Sequence, residues 1–131
     1  MPFNINEEFK INKDMLNLRS FQEEIIASNI ANAGTKNYKA RKINFQKEMK
    51  NIIDRNSKSN NIHINEKFNL EKSKYYSIPH VYTVKKANSI NGNTVNMDEE
   101  RINLIKNSLK YQEEIILLNN KIKNILLVLQ E

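Results

Sequence analysis

The stretch Met97–Gln130, MDEERINLIKNSLKYQEEIILLNNKIKNILLVLQ, decides the fold. It contains neither Gly nor Pro, and an apolar stripe runs through it from end to end. Positions taken alternately four and three apart are Met97, Arg101, Leu104, Ser108, Tyr111, Ile115, Leu118, Ile122, Ile125 and Leu129. Eight of these ten are apolar or aromatic, an a/d seam sustained over more than four heptads. A second stripe, Ile102, Ile105, Leu109, Ile116 and Leu126, lies beside it. The combined face is too wide for one partner helix, so at least two neighbours are expected. Asn96 is placed to cap the start, with Glu99 three residues on as in a capping box. Asp98, Glu99 and Glu100 put negative charge at the positive end of the helix dipole. At about 1.5 Å per residue the rod is roughly 50 Å long. That reach, apolar to the last turn, predicts assembly with other chains.

Working outward, residues 6–33 read as a matching N-terminal helix. Ile11, Met15, Leu18, Phe21, Ile25 and Asn29 keep helical spacing, with Leu16, Ile26 and Ile30 alongside. Gly34 stands where a left-handed C′ residue is favoured. Between the two helices, residues 34–95 form an irregular segment. Tyr38–Phe45 suits a short extended piece, Phe45–Asp54 a short helix, and Arg55–Asn61 a polar loop. Ile62/Ile64 and Val81/Tyr82/Val84 are candidate short strands on either side of Pro79, and Lys85–Asn96 is a linker. The fold class is therefore mainly α: two long amphipathic terminal helices forming a coiled-coil-like pair, in one domain over 1–131.

Composition agrees. Only 2 Gly and 2 Pro in 131 residues argue against a turn-rich β fold. A 39% hydrophobic content without Trp predicts a thin aliphatic core. There is no Cys, which excludes disulfides, thiolate metal sites and cysteine nucleophiles. The N-terminus lacks the basic and apolar regions of a cleavable signal peptide, and no window is long and apolar enough for a membrane span. The net charge of +6 admits a second reading, a small basic nucleic-acid-binding protein, with Lys36, Lys39, Arg41 and Lys42 around Tyr38 as its contact. The same basic loop also complements the negative end of the preceding helix.

Candidate chemistry is sparse. His63 and His80 have no metal-ligand spacing around them. Glu23-Glu24 and Glu113-Glu114 are adjacent on helices, so each pair diverges by about 100° and reads as a solvated edge. No catalytic, cofactor-binding or metal-binding residue is assigned, and no enzyme activity is expected.

Two stretches carry a specific resemblance. Ser28-Asn29-Ile30-Ala31-Asn32-Ala33-Gly34-Thr35-Lys36-Asn37-Tyr38-Lys39-Ala40 resembles the A-N-I-A-N-A-x-T-P-G-Y-K-A signature of the flagellar axial proteins, the rod and hook family. Gly92-Asn93-Thr94-Val95-Asn96-Met97-Asp98-Glu99-Glu100, followed by Asn107-Ser108-Leu109-Lys110-Tyr111-Gln112, is similar to a run found in proximal-rod members of that family. Lys36-Asn37 replaces the Pro-Gly turn, Asn96 an Asp, and Gly34 the usual acidic residue. Asn tolerates the left-handed region, so the turn is expected to persist at Asn37.

The resemblance implies a structural subunit of the bacterial flagellar basal-body rod. Such a subunit packs its terminal helices with those of its neighbours, transmits torque and forms part of the export channel. It also implies a place in the periplasmic rod, reached through the flagellar type III export apparatus without a cleavable signal. The implied partners are FlgC-like rod subunits, a FliE-like adaptor, the membrane-ring protein and further copies of the chain, with no cofactor. On this reading the assembly interface comprises Leu18, Phe21, Ile25, Asn29, Asn32, Thr35, Tyr38, Leu104, Tyr111, Ile115, Leu118, Ile122, Ile125 and Leu129.

Overall fold

The computed structural model describes residues 5–60, 78–86 and 90–130, the side chains of 59 and 60 excepted. Along the chain lie α1 (Ile5–Ala31), β1 (Arg41–Ile43), α2 (Phe45–Asn60), β2 (Val81–Thr83) and α3 (Met97–Gln130). The two terminal helices run antiparallel: Asn29 meets Glu100 near one end of the pair, and Glu8 meets Lys121 near the other. The mainly α, paired-helix fold is the one the periodicity predicts.

The apolar core lies on one side of α1. Leu18, Ile25 and Ile43 are buried, with Phe21, Phe45, Met49, Ile52 and Val81 packed against them. Leu18, Phe21 and Ile25 share one face of α1 because three- and four-residue steps bring side chains into line. That face receives α2 and the β-ribbon. The ribbon is antiparallel, with Arg41 opposite Thr83, Lys42 opposite Tyr82 and Ile43 opposite Val81. Two strands alone are marginal in water, and Ile43 and Val81 anchor this pair to the core.

Helix ends follow local chemistry. The Asn96 side chain accepts a bond from the Glu99 amide at 3.3 Å, so Asn96 is the N-cap of α3. The Glu99 carboxylate turns instead to Lys42, so the reciprocal half of the capping box is replaced by a salt bridge. Asn44 caps α2 in the same way, accepting from the Lys47 amide at 3.1 Å.

Three expectations are corrected. Helix α1 ends at Ala31, two residues before the predicted boundary, and turns follow. Gly34 does not take up the left-handed conformation; Asn37 (φ 58°) and Gly92 (φ 76°) do. Helix α2 continues to Asn60, through the segment read as a loop from Arg55. Its polar last turns still satisfy the backbone pattern, and Asn56 donates to Asp14 of α1 at 3.2 Å. The candidate strand at Ile62/Ile64 lies outside the described residues, as does His63.

Candidate assembly surface and motif junction

The two sequence motifs meet. The tight turn after α1 and the run that leads into α3 are fastened together by asparagines. The Asn29 side chain, fully buried, treats Arg41 as a strand neighbour: its amide donates to the Arg41 carbonyl at 2.7 Å, and its oxygen accepts from the Arg41 amide at 2.9 Å. It also donates to Glu100 at 3.2 Å and accepts from the Tyr38 hydroxyl at 3.2 Å. Asn93 does the corresponding service for the end of α1. Its amide reaches the carbonyls of Asn32, Ala33 and Thr35 at 2.9, 3.1 and 2.7 Å, in the turns that follow the helix. The Thr94 amide donates to the Tyr38 carbonyl, and the Thr94 hydroxyl accepts from the Ala40 amide.

Gly92 sits where the strands of this knot cross. A β-carbon there would lie 2.4 Å from Oδ1 of Asn37, and its φ of 76° suits a residue without one. The Asn37 amide in turn donates to the Asn91 carbonyl at 3.0 Å. The two left-handed residues therefore face each other.

The basic residues of this turn are used within it. Lys39 donates to the Gly92 carbonyl at 2.7 Å, Arg41 to Ser28 at 2.8 Å, and Lys42 to Glu99. Three of the four basic residues that admitted a nucleic-acid reading are thus tied to the chain's own carbonyl, hydroxyl and carboxylate groups, and Lys36 is exposed.

The α1–α3 seam carries a line of polar contacts among its half-buried apolar residues. Arg19 donates to Glu114 at 3.1 Å, with its guanidinium 3.6 Å from the centre of the Phe45 ring. Asn107 donates to the Arg19 carbonyl at 3.0 Å and to Glu23 at 3.4 Å, and Ser108 donates to Glu23 at 3.5 Å. The buried residues of α3 are Glu100, Asn107 and Glu114, all polar. The reading of Glu23 and Glu114 as solvated edges is therefore corrected: each faces the partner helix, while Glu24 and Glu113 face water. Burial pushes the Glu100 carboxyl above the usual range; the Asn29 hydrogen bond and Lys42 oppose that, and Glu99 adds to it.

Among the expected interface residues, Leu18, Ile25 and Asn29 are buried inside the chain, and Phe21 packs against the core. Asn32, Thr35 and Tyr38 belong to the motif junction. Leu104, Tyr111, Ile115, Leu118 and Ile125 are half-buried, and Ile122 and Leu129 are exposed. The second stripe is open to solvent throughout: Ile102, Ile105, Leu109, Ile116 and Leu126 are all more than half exposed, as are Leu117, Leu127, Val128 and Leu129. Apolar counting had missed Arg19, Asn93, Glu100, Asn107 and Glu114. The signal for the last three was their seven-residue spacing, a polar heptad inside an apolar helix.

No protein-family model matches the chain. It is 40% identical to flagellar basal body rod protein FlgB of Buchnera aphidicola subsp. Baizongia pistaciae, over 96% of each chain. It is 34% identical to FlgB of Salmonella typhimurium, over 96% of this chain and 95% of that one. Against FlgB of Proteus mirabilis strain HI4320 it is 33% identical over 97% of this chain and 96% of the relative. Identity at this level over nearly the whole length of each chain shows that the chain belongs to the FlgB family of flagellar basal body rod proteins.

Proposed function

We propose that the chain builds the proximal part of the rod by laying the outer face of α3 against helices of neighbouring subunits. The observation that carries this is the uncovered apolar surface of α3. A soluble monomer rarely leaves so long an apolar face in water, and among the described residues only α1 is packed extensively along α3. The wide stripe that asks for two neighbours has received one. Burial at about 25 cal/mol per Å² of apolar surface is the driving force for acquiring the second.

On this reading the half-buried seam residues Leu104, Tyr111, Ile115, Leu118 and Ile125, with exposed Ile122 and Leu129, lie at the margin of the subunit contact. Neighbours are further copies, FlgC-like subunits, a FliE-like adaptor and the membrane ring. The assembled tube transmits torque, encloses part of the export channel and lies in the periplasm, reached through the flagellar export apparatus. The role is structural; no catalytic step is assigned to any residue.

The test replaces outer-face residues singly: Ile105→Asp, Ile116→Asp and Ile122→Asp. Circular dichroism of each is expected to match the parent, because these side chains face water in the free chain. Recovery in purified basal bodies is expected to fall by about tenfold or more, since one desolvated charge outweighs the contact it replaces. Normal recovery of all three in basal bodies would overturn the reading.

A further inference from the structure

We propose that the column Glu100–Asn107–Glu114 sets the alignment of the chain: it makes α3 choose its own α1, antiparallel and in one register, over a slipped pairing or a helix from another copy. This is independent of the rod reading and concerns the isolated protein.

Without the column, α3 would have little to hold it in one alignment. Its apolar residues recur around much of the helix, at Leu104, Ile105, Leu109, Ile115, Ile116, Leu117 and beyond. Hydrocarbon contact is non-directional, so such a surface accepts many alignments at similar energy. A heptad slip would present nearly the same apolar pattern to α1. The polar column does not slip freely. Each member has a different counterpart: Glu100 meets the Asn29 amide, Asn107 meets the Arg19 carbonyl and Glu23, and Glu114 meets the Arg19 guanidinium. Sliding by seven residues would set Asn107 beside Asn29 and deprive Glu114 of Arg19. A buried carboxylate without its cation is strongly unfavourable.

The column is also a poor choice for stability alone. Asn107 Oδ1 and Glu114 Oε2 are buried with no hydrogen-bond donor among the described residues. Apolar side chains at those places would avoid that cost. A partly satisfied polar line in the middle of a helix pair is the device by which coiled coils fix register at the expense of stability.

The chain has no native cysteine, so engineered pairs report alignment directly. Glu8→Cys with Lys121→Cys marks the native register, since those side chains form a salt bridge at 3.4 Å. Glu8→Cys with Val128→Cys marks a slip of one heptad. In the otherwise unchanged chain, oxidation is expected to link the first pair within one molecule, about tenfold or more over the second. In the background Arg19→Met, Asn107→Leu, Glu114→Leu, that preference is expected to fall towards one, with links between molecules appearing as concentration rises. A second arm reverses the ion pair. Arg19→Glu alone is expected to reduce the native link, and Arg19→Glu with Glu114→Arg to restore it. Persistence of the native intramolecular link alone in the leucine background overturns the proposal. So does failure of the reversed pair to improve on Arg19→Glu, which decides the matter if the leucine background does not fold.

Discussion

Gly92 shows how much rests on one missing β-carbon. Both of its constraints, the positive φ and the Asn37 Oδ1 standing where a β-carbon would go, oppose any replacement. Gly92→Ala is expected to destabilise the chain by about 1–3 kcal/mol, read as a lower midpoint in urea. An unchanged midpoint would mean the turn rearranges at little cost. Glu100 makes a prediction of opposite sign. Its folded carboxyl holds its proton more readily than the unfolded one, so ionising it disfavours the fold. That penalty is absent below the unfolded pKa, grows as pH rises towards the raised folded value, and is complete above it. Glu100→Gln is therefore expected to raise the melting temperature at neutral pH. The gain should shrink to nothing as the pH falls to the ordinary glutamate range. A gain that is equal at acid and neutral pH would assign the effect to packing. Asn93 and Asn29 mark the limit of reading residues from sequence. The motif signals that they matter, but not that each completes backbone bonds across the junction, because those partners lie far along the chain.

At the level of elements, α3 was legible to the residue. An asparagine cap, three acidic residues in the first turn and the lack of Gly and Pro leave one start and no interruption. The a/d seam marked the inward side, where Leu104, Tyr111, Ile115, Leu118 and Ile125 are half-buried; that its fully buried positions are polar was not legible. Hydrophobic periodicity ranks surfaces by their dislike of water and gives no weight to Glu100, Asn107 and Glu114, while the second apolar stripe is left outside. The second half of α2 was obscured for a related reason. Asn56–Asn60 has no apolar residue to mark a face, yet the helix persists because its start is capped and Asn56 is tethered to Asp14. Asn44→Ala is expected to cost about 1 kcal/mol. Loss of amide protection should be concentrated in residues 45–50, and uniform loss along the chain would deny the cap its local role.

For the whole molecule, two unlike interfaces share the terminal helices. One packs α1 against α2 and the ribbon and is apolar; the other packs α1 against α3 and mixes half-buried apolar residues with buried amides and charges. The expectation that the terminal helices need partners is met within the chain for α1. For α3, among the described residues, it is met along one side, and the remaining side supports the proposal of assembly.

That division has a calorimetric consequence. Melting exposes hydrocarbon to water and raises heat capacity, typically by about 12–15 cal/mol/K per residue. In this chain much of the hydrocarbon of α3 is wet before melting begins. The heat-capacity step of the dilute chain is expected to fall short of that range, and association to carry a negative heat-capacity change of its own. A full-sized step in the dilute chain would show that the outer leucines and isoleucines of α3 are already dry.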